Sequence, residues 1–147
     1  MIGTSSMIDN VYFFLPAFAL AILQLLIALY LFIIRVVAVS RKEIPLKYFA
    51  LKTGANPPDY LSRGDRNYIN LFETPILFYA ALLFALFFAL TEPMLYWLAW
   101  LYCALRYVHT IIHVSYNRVI HRLTVFILSV IVLAVIWMHI FGQLFLR

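Results

Sequence analysis

Charge is scarce in this chain. Asp, Glu, Lys and Arg make up 12% of its 147 residues, and apolar residues make up 66%. A soluble domain carries about a quarter charged residues, so this composition belongs to a membrane protein. Cysteine is nearly missing: Cys103 stands alone inside an apolar run. That excludes an internal disulfide and leaves the redox compartment unread, and the plain reading of Cys103 is a small buried hydrophobe. The opening stretch MIGTSSMIDN has no Lys or Arg, so the basic region of a cleavable signal peptide is missing. No segment alternates with period two, which excludes a transmembrane β-barrel. There is no internal repeat, low-complexity tract, Gly-rich phosphate loop, Ser-His-Asp order or zinc pattern.

What the chain does have is long apolar runs. A membrane-crossing helix needs about 20 residues, and four runs suffice: about 12–39, 66–90, 94–113 and 123–146. The expected fold is an all-α integral membrane protein, a single four-helix transmembrane domain over 1–147. Lys and Arg outnumber Asp and Glu by 11 to 6, but their positions matter more than the sum. Arg41, Lys42, Lys47, Lys52 and Arg63 fall between runs one and two, with the breakers Gly54, Pro57, Pro58 and Gly64. Arg118, His121 and Arg122 fall between runs three and four, whereas runs two and three are joined only by Thr91-Glu92-Pro93. The positive-inside rule then places both basic loops in the cytosol and both termini outside. The loop cations read as topology and as contacts to anionic lipid headgroups, so no nucleic-acid partner is expected. Tyr48, Phe49 and Tyr60 are expected at the interface, and Trp97 and Trp100 in the outer aromatic belt.

Two polar stripes enter these runs. Arg66, Asn70 and Glu73 recur at steps that return to one helix face. An ionisable group there costs roughly 2.5–3.5 kcal/mol at a helix centre and less near its end, so something must compensate it. Ser62 or Asp65 is the expected N-cap of the second span. Pro75 should kink that span by removing the bond to the Leu71 carbonyl, which then needs another partner. Span three carries Tyr102, Arg106, His109, Thr110, His113 and Asn117 at similar spacing. The simplest pairing is Glu73 with Arg106. It leaves Arg66, Arg118 and Arg122 uncompensated, a surplus suited to an anionic ligand between helices. His109 and His113, four apart, have the spacing for one metal ion, and His139 raises the thought of a haem. His139 falls at the opposite end of the bundle from the pair, however, and the plainer reading is hydrogen-bonded histidines in a helix interface, with no metal.

At these residues the chain resembles the membrane-associated proteins in eicosanoid and glutathione metabolism, the MAPEG family. The segment Arg66-x-x-x-Asn70-x-x-Glu73 with a proline soon after is similar to the family's second-helix signature. Arg106-Tyr-Val-His109-Thr110 looks like the third-helix stretch of the microsomal prostaglandin E synthase branch, and Asn70-Leu-Phe-Glu73-x-Pro75 is in the style of the bacterial branch. The resemblance implies a homotrimer, here in a bacterial inner membrane. It also implies glutathione as co-substrate, bound between subunits near the cytosolic face, and a lipophilic partner substrate drawn from the bilayer. Carried over by motif, Arg66, Asn70 and Glu73 grip the peptide's charged ends, Arg106 supports them, and His109 and His113 line the same face. The thiolate-stabilising arginine is Arg122, or with a shift Arg118. Arg35 or Arg41 at the end of span one adds a contact. Three positions depart from the pattern: His113 replaces a tyrosine, Thr74 replaces an aromatic residue, and Pro75 comes early. The implied activity is glutathione transfer to a lipophilic electrophile, or reduction of a lipid hydroperoxide. The alternative is a non-catalytic lipid- or ligand-binding protein of the same fold, and behind it an electron-transfer subunit holding metal or haem.

Overall fold

A computed structural model describes residues 11–145. Helix α1 is Leu15–Ser40, α2 is the short Tyr48–Leu51, α3 is Asp59–Glu73 and α4 is Pro75–Phe87; α5 is Pro93–Val114 and α6 is Val119–Phe145. Among the described residues there is no strand. Prolines open α1, α4 and α5, where the missing N–H would have had no intrahelical partner.

Three stretches are long and apolar enough to cross a membrane: Val11–Ser40, Asp59–Phe87 and Val119–Phe145. The expected third span, α5, has 22 residues and the length to cross, but it is not among them. Arg106, His109, Thr110 and His113 fall in its C-terminal half, and they are buried in the protein. Their polarity is thus hidden from lipid while lowering the helix's average hydropathy.

Helix α5 is central, packing on α1, α3 and α6, while α6 also touches α4. The main core joins Leu20, Phe78, Leu82, Leu95, Ala99, Tyr102 and Ile136, with Phe78 stacked on Tyr102 at 4.5 Å. A second cluster, Leu31, Ile34, Ala38, Ile44, Tyr48 and Leu61, sits under the first basic loop. Tyr48 is therefore buried rather than at an interface. Large apolar side chains such as Phe18, Leu25, Phe32, Ile76, Phe87 and Ile131 face outward, as a protein bathed in lipid requires.

Two details of the second span differ from expectation. Its helix begins at Asp59 behind Pro58, with no side-chain cap, so neither Ser62 nor Asp65 is the N-cap. Asp65 lies two turns in and accepts from Arg35 (2.6 Å) and Lys52 (2.9 Å). Two cations compensate the carboxylate better than a helix terminus would, and the pair fastens the basic loop to α1. Glu43 in the same loop accepts from the Tyr60 hydroxyl.

The break at Pro75 falls where the sequence places it, between α3 and α4. The Leu71 carbonyl freed by proline accepts from Gln24 Nε2 (2.8 Å), and Gln24 Oε1 in turn accepts from the Tyr79 hydroxyl (2.7 Å). Gln24 is the lone amide of α1. With no water in the bilayer core, a carbonyl and a phenol left without partners are costly. Gln24→Leu should lower stability by about 1–3 kcal/mol, read as a drop in the detergent melting temperature; an unchanged melting temperature would show that the network carries no load.

Candidate functional site

Helices α3 and α5 run antiparallel and are stitched by three polar contacts. Tyr102 donates its hydroxyl to Thr74 Oγ1 (3.4 Å), Arg106 Nη2 donates to the Asn70 carbonyl (2.6 Å), and Arg63 Nη1 donates to the Ser115 carbonyl (3.2 Å). The α5 stripe is buried along its whole length: Tyr102, Arg106, His109, Thr110 and His113. Arg106 has 0% exposure.

The α3 stripe behaves differently. The buried face of α3 is Leu61, Gly64, Asn67 and Leu71. Glu73, two residues past Leu71, lies round the helix and is exposed. Among the described residues it forms no ion pair, so the simple Glu73–Arg106 pairing is not made. Arg66 is exposed, and its Nε donates to the Ser62 carbonyl (3.2 Å). Asn70 Nδ2 donates to the Arg66 carbonyl (2.9 Å). Of the three, Asn70 alone reaches the cleft described next.

That cleft, of about 230 Å³, is lined by Asn70, His109, Val119, Arg122, Leu123 and Phe126. Arg122 enters from the first turn of α6. Its Nη1 lies 2.9 Å from Asn117 Oδ1, to which it donates, and 3.1 Å from His113 Nε2. Phe126 forms an aromatic wall, with the His109 ring at 5.8 Å and the Arg106 guanidinium at 5.7 Å. The cleft thus combines a fixed cation, an amide, an imidazole and an apolar flank. That set suits a small molecule with an anionic centre and an apolar portion.

The profile of the MAPEG family matches residues 13–142, nearly the whole of this helical array. The chain belongs to the MAPEG family. It is a membrane protein related to glutathione and eicosanoid metabolism. No curated protein and no solved structure gives a significant match to it.

The two arginines that the MAPEG resemblance left in competition are separated by the structure. Arg122 lines the cleft, whereas Arg118 is exposed and contributes its backbone carbonyl to the Arg122 N–H (3.1 Å). Arg106 stands behind the cleft rather than in it. Its Nε and Nη1 are buried without a partner, and it touches the cleft lining at the Asn70 carbonyl and the Phe126 ring. His113 likewise stands behind the cleft, meeting Arg122 and the His109 ring. Arg35 is elsewhere, paired with Asp65 and lying over Phe49 at 5.5 Å, and Arg41 is exposed at the end of α1.

His109 and His113 are both buried on α5, and among the described residues the Nδ1 atom of each has no hydrogen-bond partner. Their rings pack edge to face at 5.6 Å, and the Arg122 guanidinium stands at His113 Nε2. Among the described residues no three His, Cys, Asp or Glu side chains converge on one metal position. His139 is at the other end, against Glu92 (3.3 Å), which also accepts from Gln143 (3.1 Å). These contacts fix the short α4–α5 connection to α6.

Two residues at the cleft were not legible in the sequence in these roles. Asn117 was legible as part of a stripe, but its contact to Arg122 spans a helix break that periodicity does not cross. Phe126 had no signal at all, being one apolar residue in an apolar helix.

Proposed function

We propose that this MAPEG protein is a glutathione-dependent transferase or peroxidase acting on lipophilic substrates. The observation that carries the reading is Arg122, a cation fixed by two neighbours at the edge of a cleft with Asn70, His109 and Phe126. A free thiol of pKa about 8.5 is mostly protonated at neutral pH. A guanidinium beside the sulfur favours the thiolate, each pKa unit being worth about 1.36 kcal/mol. The glutathione carboxylates pair with further cations: Arg66 on the exposed side of α3, and Arg35 or Arg41 from a neighbouring α1. Glu73 receives the peptide's amino group. Arg106 holds Asn70 in place from behind. The thiolate then attacks an electrophile arriving laterally from the bilayer and yields a thioether; with a lipid hydroperoxide, two glutathione thiols give the alcohol, water and the disulfide.

A cleft of about 230 Å³ is smaller than the roughly 300–1,000 Å³ of ordinary small-molecule sites. One chain therefore supplies one wall, and a homotrimer supplies the other from the next subunit. In this reading all four of the long helical segments cross a bacterial inner membrane, with α5 kept from lipid by its neighbours. Both termini are outside and both basic loops are in the cytosol, so the cleft opens near the cytosolic face.

Purified protein in detergent should conjugate glutathione to a generic aryl halide and bind S-hexyl glutathione with a rise in melting temperature. Neither turnover nor a thermal shift would end this reading. Binding without turnover of either electrophile or hydroperoxide would favour a non-catalytic ligand-binding member of the same fold.

A further inference from the structure

The arginine at the cleft is held by two side-chain acceptors through a single amino nitrogen. Its Nη1 amino group has two N–H bonds, and two acceptors stand within 3.1 Å: Asn117 Oδ1 from the α5–α6 connection and His113 Nε2 from the last turn of α5. His113 is fully buried. A guanidinium has no acceptor, so this contact requires a bare His113 Nε2 and a proton on Nδ1, a buried atom with no hydrogen-bond partner among the described residues. Both Nη1 hydrogens are thus taken by His113 and Asn117, and the remaining fork, Nε and Nη2, is left for the cleft. Asn117 also has φ +50°, a left-handed position at which asparagine is well tolerated, and its N–H donates to the Ile112 carbonyl (2.8 Å). Asn117 thus ties the turn after α5 back to that helix and sits two residues before α6.

We infer that Asn117 and His113 are positioning residues that clamp Arg122, fixing its free fork toward a sulfur or other anion in the cleft. The functional consequence rests on the thiol reading above, whereas the clamp itself does not. Lost rotamer freedom is the reason it matters. A mobile arginine must be ordered at each binding event, and a held one keeps its donors where the charge develops.

Asn117→Gly is the discriminating variant. Glycine accepts the left-handed backbone and retains the N–H to Ile112, so it removes only the side-chain acceptor. His113→Phe removes the other acceptor. Two measurements separate the clamp from the chemistry. Histidine ¹⁵N shifts of the ligand-free protein should show His113 as the Nδ1–H tautomer, reverting to a mixture in Arg122→Leu; an Nε2–H tautomer in the wild type overturns the clamp. The pKa of bound glutathione, read from thiolate ultraviolet absorbance against pH, should then rise by about one unit in Asn117→Gly, a tenfold change in the ionisation constant, with glutathione affinity and melting temperature near wild type. A wild-type thiol pKa in Asn117→Gly would overturn the positioning role. If the wild type binds no glutathione, the thiol reading fails and the tautomer measurement still decides the clamp.

Discussion

Arg122→Leu should lower glutathione turnover by about 10²- to 10³-fold, the loss typical of removing one donor from a preorganised anion site. Arg118→Leu, four residues earlier on the exposed side of the chain, should remain close to wild type. The contrast matters because the two arginines are nearly equivalent in sequence. Without the guanidinium, the bound thiol loses the charge that favours its ionised form, and its pKa rises. The ascending limb of the kcat/KM profile should therefore move to higher pH, with part of the lost activity regained in alkaline buffer. The fold should survive. The acceptors left behind, Asn117 Oδ1 and His113 Nε2, lie at the polar end of α5, and an unmade bond there costs about 1–3 kcal/mol. Equal losses in both variants, or a loss that is flat with pH, would refute the assignment of Arg122 to the sulfur.

Arg106→Met should have opposite effects on stability and on binding. Arg106 is fully buried, with one donor on the Asn70 carbonyl and two nitrogens without partners. No carboxylate forms an ion pair with it among the described residues. Burying a cation that way is expensive, and methionine removes the uncompensated charge while losing one bond to the Asn70 carbonyl. Methionine fits irregular space and packs against Phe126. The ligand-free melting temperature should stay level or rise. Glutathione affinity should fall, because Asn70 loses the group that fixes it. An Arg106→Met protein that melts much earlier than wild type would show that the guanidinium holds the fold together; wild-type affinity would remove Arg106 from the site.

Much of the architecture was legible because the bilayer leaves few choices. Long apolar runs must be helices, since every backbone group needs an internal partner. Pro75 must break a helix, since it lacks a donor. The second-helix and third-helix motifs pointed to the family that the comparison over residues 13–142 bears out. The polar stripes were visible as stripes, yet what each member touches was not. Glu73 and Arg106 looked like a pair because opposite charges at similar depth usually meet. They fail to meet because Glu73 is rotated off the buried face of α3. Asp65 resembled a cap because it precedes the apolar run, but the helix begins a turn and a half earlier, at a segment too polar for hydropathy to mark. Gln24 gave no warning, being one amide in a run of apolar residues, although Leu71 required some partner.

By itself, the sequence determined that this chain lives in a membrane, where its helices break, where its cations gather, and which family it resembles. All of these follow from composition and from spacing along a single helix. Only the tertiary structure decided which of the gathered arginines turns inward. That choice depends on the rotation of α6 relative to α5, set by the left-handed turn at Asn117 and by contacts across a helix break. Helical periodicity ends at such a break, so no count of residues carries the phase from one helix to the next. Arg122 faces the cleft and Arg118 faces away because of an angle fixed by packing.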